Sequence, residues 1–231
     1  MVGFVDFGSI DTKIGLLSVD GEICFMRLLT TLFLSAAVSL TLFLGFRSPS
    51  SESLQSGDLV FQVSKSDQSE AIQKATGSKY SHVGIVFFEG NLPYVYEAVG
   101  PVRRIDLDHW RMQGKTDDFA VKRLKDAKEV LTEANLKKMQ TTGKRFAGLP
   151  YDFKFEWTDD KIYCSELVWK IYHEALGIEL CAKRRLSDYN LSSKVVRRTV
   201  EQRYNGNIPH DEVMVSPGDL YDSRLLRTVE Y

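Results

Sequence analysis

The stretch IYCSELVWKIYHEALG (residues 162–177) reads as one helix with a cysteine at its mouth. Leu167, Val168, Ile171, Tyr172, Ala175 and Leu176 recur at three- and four-residue spacings, which is the period of an apolar helical face. Gly177 supplies the stop. Cys164 therefore falls in or just before the first turn. Unpaired backbone N–H groups and the positive end of the helix dipole favour a thiolate there, the form a cysteine nucleophile needs. The N–H of Cys164 itself is the first candidate to hold an oxyanion. A second reading stays open on local grounds, because free cysteines are among the most buried residue types and most are inert packing.

A cysteine nucleophile wants an imidazole base and a group to orient it. Of the four histidines, His109, His173 and His210 sit among polar or charged neighbours, where exposure is the expectation. His82 instead opens the apolar strand HVGIVFF (82–88), and a second strand, YVYEAVG (94–100), follows after EGNLP. The Gly90-Asn91 pair inside that gap is a hairpin signal. A two-residue turn there pairs Glu89 with Leu92, Phe87 with Tyr94 and Gly84 with Glu97. His82 and Glu97 then share a face one diagonal step apart, roughly 7–8 Å between Cα atoms. Glu97 is the acid inside an otherwise apolar strand, and a buried acid needs a partner. Two alternatives remain at this level: Glu97 faces water from an edge, or a longer turn through Pro93 moves it to the other face.

Outward from these elements the pattern is mixed. SGDLVFQV (56–63) gives a turn and a short strand, and SDQSEAIQKAT (66–76) a helix closing at Gly77. DFAVKRL (118–124) is β-like, TEANLKKMQTTGKRFAGL (132–149) has helical spacing, and YDFKFEW (151–157) is short and aromatic. VSPGDLYDS (215–223) echoes SGDL too briefly to be a repeat. The sum is one α+β domain over residues 51–231. With 43% hydrophobic residues it can build a core. A formal charge of −1 provides no basic field for nucleic acid. The basic runs KVVRR (194–198) and CAKRR (181–185) read as solvated surface. Cys24, Cys164 and Cys181 include no close CxxC pair, so zinc-ligand spacing and a disulfide framework are both missing, and Cys181 reads as structural. Neither a Walker loop nor G-x-G-x-x-G is present to support nucleotide chemistry.

Ahead of the domain, MRLLTTLFLSAAVSLTLFLGFRSPSSES starts at Met26 with one arginine, an apolar core and a Ser/Pro-rich tail. This predicts a secretory signal or an uncleaved anchor over residues 26–50, with export to the periplasm or cell envelope. Membrane contact is expected through this segment alone. Residues 1–25 carry several acids and fit no signal, which points to Met26 as the true start. Cys24 precedes the apolar segment and so cannot be a lipidation site after it.

YSHVGIVF, YVYEAVG and YDFKFEW…YCSELVWKIY, taken together with SGDLVF, resemble the YiiX-like branch of the NlpC-type papain-like cysteine hydrolases, over roughly residues 54–225. In that branch the core is circularly permuted, with the histidine strand ahead of the cysteine helix. The resemblance implies a small antiparallel sheet or barrel packed on the cysteine helix, and amide hydrolysis through a thioester without metal or cofactor. It maps the nucleophile to Cys164, the base to His82 and the orienting residue to Glu97. Tyr151 and Tyr163 match aromatic positions near the substrate pocket. The implied activity is that of an amidase or peptidase, with cell-wall peptides as one substrate class. Acyl transfer or thioester hydrolysis on lipids is the alternative, and a catalytically silent envelope-binding module is the third. A hydrophobic slot beside Cys164 would favour the thioesterase or acyltransferase alternative, and a polar or charged pocket would favour peptides. Oligomeric state is not readable from the sequence.

Overall fold

Along the strand that begins at His82, Val83, Ile85 and Phe87 alternate with His82, Gly84 and Val86, and this period of two sorts the faces of the sheet. The computed structural model describes residues 52–115 and 119–231, so the expectations for residues 1–50 lie outside the described residues. In chain order the elements are β1 (Leu59–Gln62), α1 (Ser69–Thr76), β2 (His82–Glu89), β3 (Leu92–Glu97), β4 (Arg103–Asp106), α2 (Leu107–Met112) and β5 (Ala120–Leu124). There follow α3 (Ala127–Val130), α4 (Glu133–Arg145), α5 (Cys164–Leu176), β6 (Arg184–Arg185), a 3-10 turn (Leu186–Asp188), α6 (Lys194–Tyr204), β7 (Val213–Met214), α7 (Pro217–Tyr221) and β8 (Leu226–Val229).

Six strands form one antiparallel sheet in the order β4-β3-β2-β1-β5-β8. The hairpin register is the expected one: Glu89 lies opposite Leu92 and Phe87 opposite Tyr94, with Ile85 opposite Tyr96. Gly90 takes the left-handed conformation (φ 59°) that lets two residues close the turn. The next pairing outward brings Glu97 of β3 against Arg103 of β4.

One face of the sheet (Leu59, Phe61, Val83, Ile85, Phe87, Tyr96) packs on Leu167, Val168, Ile171 and Tyr172 of α5 and Met139 of α4. Gly143 lets α4 come close to α5, since a Cβ there would lie 3.3 Å from Ile171 Cδ1. Each fully buried Leu, Ile or Phe contributes about 1.5–3 kcal/mol, so this layer holds the cysteine helix to the sheet. The opposite face (Val60, Val86, Val95, Val121, Val229) is covered by Leu107 and Trp110 of α2.

Two expectations need correcting. The cysteine helix is not simply amphipathic: from Cys164 to Tyr172 every residue is buried, including Ser165, Glu166 and Lys170. Polar residues survive there because the chain around 158–159 and 215 supplies acceptors for them. KVVRR is not merely solvated surface either. It opens α6, whose Val196, Val200 and Tyr204 are buried at helical spacing while Arg197 and Arg198 stay exposed. YDFKFEW forms no strand and runs as a loop with one bridge, Tyr151 to Ile162.

Candidate active site

α5 begins at Cys164, and its N-cap is Tyr163, whose N–H donates to the Glu166 carboxylate at 3.4 Å. That N3 glutamate reaches back over the cap, half of a capping box. The N–H of Cys164 stands among the first amides of the helix, which have no intrahelical acceptor. The thiol is 3% exposed.

His82 comes to it from the start of β2. One ring nitrogen, Nε2, is 2.8 Å from Glu97 Oε2, which leaves Nδ1 for the sulfur side. Burial works against an imidazolium, yet hydrogen bonding and charge from Cys164 and then Glu97 outweigh it and raise His82 to about 10. Glu97 is fully buried. Burial pushes its carboxyl up, but His82 and Arg103 hold it below the usual glutamate range. Arg103 meets Oε1 with Nε at 2.9 Å and Nη2 at 2.8 Å. The structure thus brings Cys164, His82 and Glu97 together, and adds Arg103 behind the acid.

The imidazole is also clamped from its flank. The Trp110 ring stacks on it at 5.8 Å between centroids, with planes 27° apart. Gly84 lets β3 lie close against β2: a Cβ there would sit 2.3 Å from Val95 Cγ1, while the Trp110 Nε1 would be in ordinary contact at 3.6 Å. The indole N–H is buried with no hydrogen-bond partner among the described residues. Sequence reasoning missed both Arg103 and Trp110. A glycine inside a strand signals a close neighbour, which at Gly84 is Val95, with Trp110 in ordinary contact beside it.

A profile of the family described as "Permuted papain-like amidase enzyme, YaeF/YiiX, C92 family" matches residues 53–230. The chain belongs to that family. It is 43% identical over 175 residues to "Uncharacterized protein YiiX" of Escherichia coli (strain K12), covering 76% of this chain and 85% of the relative. Among solved structures, the "Crystal structure of metalloprotein yiiX from Escherichia coli O157:H7" superposes with a TM-score of 0.73. It is 43% identical, and the match covers 76% of this chain and 96% of that one. As an α+β member of the permuted papain-like family, this chain carries its histidine strand before its cysteine helix. That relative is described as a metalloprotein. In this chain no three His, Cys, Asp or Glu side chains converge in metal-binding geometry among the described residues.

Two cavities of this member of the permuted papain-like family meet near the thiol. One is an apolar slot of about 80 Å³, room for several waters or a short chain. Its walls include Ala71 and Ile72 of α1, Val196 and Val200 of α6, and Cys164 itself. The other is an open groove that contains His82, rimmed by the exposed Val99 and Phe153. Tyr151 lines both. Its hydroxyl accepts from Gln68 Nε2 at 3.2 Å, and burial, together with the charge of Cys164, pushes its phenol well up, so it stays a donor. Tyr163 lines the slot alone, and its hydroxyl accepts from the Val215 N–H at 3.2 Å. Cys181 is half-buried, and burial with nearby acids pushes its thiol up to about 12, the state of an unreactive thiol. His109 and His173 are exposed and do not line the groove.

Proposed function

We infer that this protein is a cysteine amidase that removes an apolar acyl group from an amine. The observation that carries this reading is the apolar slot opening at Cys164, set against the His82–Glu97 pair on the thiol's other side. The Cys164 thiolate attacks the carbonyl carbon; the C–S bond forms as the carbonyl electron pair moves to oxygen. In this reading the N–H of Cys164 and the Tyr151 hydroxyl donate to that oxygen. Collapse expels the amine, which takes its proton from the His82 imidazolium and leaves a thioester. Water then attacks, neutral His82 accepts its proton, and the acid departs as the thiolate re-forms. Glu97 fixes the ring and sustains its charge, a role that changes rate more than structure.

Tyr151 and Tyr163 serve as slot walls in this reading, and no metal or cofactor enters any step. Export through residues 26–50 to the cell envelope, with contact to membrane through that segment, belongs to the same proposal. A cell-wall peptide is the rival substrate. Thioester or ester hydrolysis, or transfer to another lipid, would use the same slot and differ in the bond or acceptor.

Initial rates on acetyl, butanoyl, octanoyl and dodecanoyl amides, on the matching thioesters, and on short cell-wall peptides test the reading, with Cys164→Ala beside the wild type. Amide turnover should rise with chain length until the slot is full and then fall. Turnover of the peptides alone would overturn the acyl assignment. Equal rates from the Cys164→Ala protein would overturn the hydrolase itself.

A further inference from the structure

Arg203, near the C-terminal end of α6, lines both the slot and the His82 groove. So do Gln68 and Tyr151, and the three form a row: Gln68 Nε2 donates to the Tyr151 hydroxyl at 3.2 Å, while Gln68 Oε1 accepts from Arg203 Nη2 at 2.9 Å. The guanidinium carbon lies 4.3 Å from the centre of the Phe155 ring, which fixes its plane. What sets Arg203 apart is partial burial without an ion-paired carboxylate, since the other unpaired arginines, such as Arg111, Arg197, Arg198 and Arg224, are exposed. Arg103 pairs with Glu97, Arg123 with Asp58, Arg184 with Asp219 and Arg227 with Glu52. Among the described residues Arg203 forms no such ion pair. Asp152 acts on it through charge, but its oxygens accept from the backbone N–H groups of Lys154 and Glu156. Burial works against the guanidinium's charge and, outweighing these neighbours, lowers its pKa.

We propose that Arg203 is the recognition point for an anionic group on the departing half of the substrate, which makes the substrate an N-acyl amine bearing a carboxylate or a phosphate. The proposal rests on the acyl reading above. With the acyl group in the slot and the amine over His82, an anion a few bonds beyond the nitrogen lies in the groove that Arg203 lines. A guanidinium suits this task because its planar fork grips carboxylate or phosphate through two parallel hydrogen bonds. Gln68 holds one arm of the fork in place, and Phe155 backs the plane. Lys65, another cation of the groove, is exposed and donates to the Met112 carbonyl at 3.0 Å, so it is the weaker claimant.

The test is calorimetric binding to the full chain carrying Cys164→Ala, so that ligands survive. The ligands are N-octanoylglycine, its neutral amide, and N-octanoyl phosphoethanolamine. The better anion should bind tighter than the neutral amide by about tenfold or more, as expected for a hydrogen-bonded charge pair. Its identity separates a carboxylate from a phosphate source. Adding Arg203→Met should bring the ratio of charged to neutral affinity to about one, whereas Arg203→Lys should retain part of the preference. Equal binding of charged and neutral ligands, or a preference that survives Arg203→Met, would overturn the role of Arg203 while leaving the acyl slot standing. If none of the octanoyl ligands binds, the acyl reading falls and takes this proposal with it.

Discussion

Glu97 and Glu166 are both fully buried, and they settle in opposite states. Glu97 has His82 on one oxygen and Arg103 on the other, and stays ionised against its burial. Glu166 has Lys170 at 2.9 Å and the Tyr163 N–H, yet burial pushes it up to about 8. The difference is how many cations each acid faces. Lys170 alone faces Glu166 and also donates to the Thr158 carbonyl at 2.6 Å and to Asp159 at 2.7 Å, whereas Glu97 lies between two cations, His82 and Arg103. A buried carboxylate keeps its charge when its cationic partners outweigh desolvation. The two states also suit the chemistry. Charge on Glu97 sustains the imidazolium, and a proton on Glu166 spares the thiolate a negative neighbour two residues along the helix.

Four substitutions break or sharpen this contrast. Cys164→Ala removes the group that the Glu97 side serves, and initial rates should fall to the uncatalysed level while the fold, read by circular dichroism, persists. Glu97→Gln keeps the shape and removes the charge. Turnover should fall by about 10²–10⁴-fold, as when a catalytic histidine loses its orienting acid. The imidazolium that wild type holds up to about 10 then loses its proton earlier, so the alkaline limb of the pH–rate profile moves to lower pH. An unmoved limb would show that Glu97 does not hold that charge.

Arg103→Met leaves Glu97 with a single cation, as Glu166 has. The carboxyl should rise, His82 should fall, and turnover should drop by about tenfold, the value of one charged hydrogen bond. Glu166→Gln has the smallest effect on rate, within about threefold, because it touches no reacting atom. Its mark is on stability. Folded wild type keeps the Glu166 proton up to about 8 while the unfolded chain releases it near the ordinary 4.5, so stability falls as pH climbs between those values. Urea unfolding across that window should show a shallower slope in Glu166→Gln, and an unchanged slope would place the pH dependence elsewhere.

Much of the site was legible because it rests on local rules. Gly90-Asn91 set the register of β2 and β3, and the register put His82 and Glu97 on one face. Gly177 ended α5 in the left-handed conformation, as its place in the sequence implied. Arg103 was not legible because its role needs a third strand, β4, whose RRID pattern carries little apolar signal. Trp110 lies on a short helix, α2, too brief to show a period. The slot wall escaped for a different reason: the arginines of α6 mask an apolar stripe of Val196, Val200 and Tyr204. Charge on one face of a helix says nothing against burial of the other.

The layering of the fold has a consequence for how activity and stability are read together. His82 belongs to the sheet and Cys164 to the helical layer, and the apolar seam of Val83, Ile85, Leu167 and Ile171 is what keeps the two in register. The reactive pair is therefore split across a joint. Slippage of that joint by even an ångström would uncouple sulfur from imidazole before either layer lost its own hydrogen bonds. Catalytic rate is then a strain gauge for the seam, and heat should silence it below the temperature at which the helical signal melts.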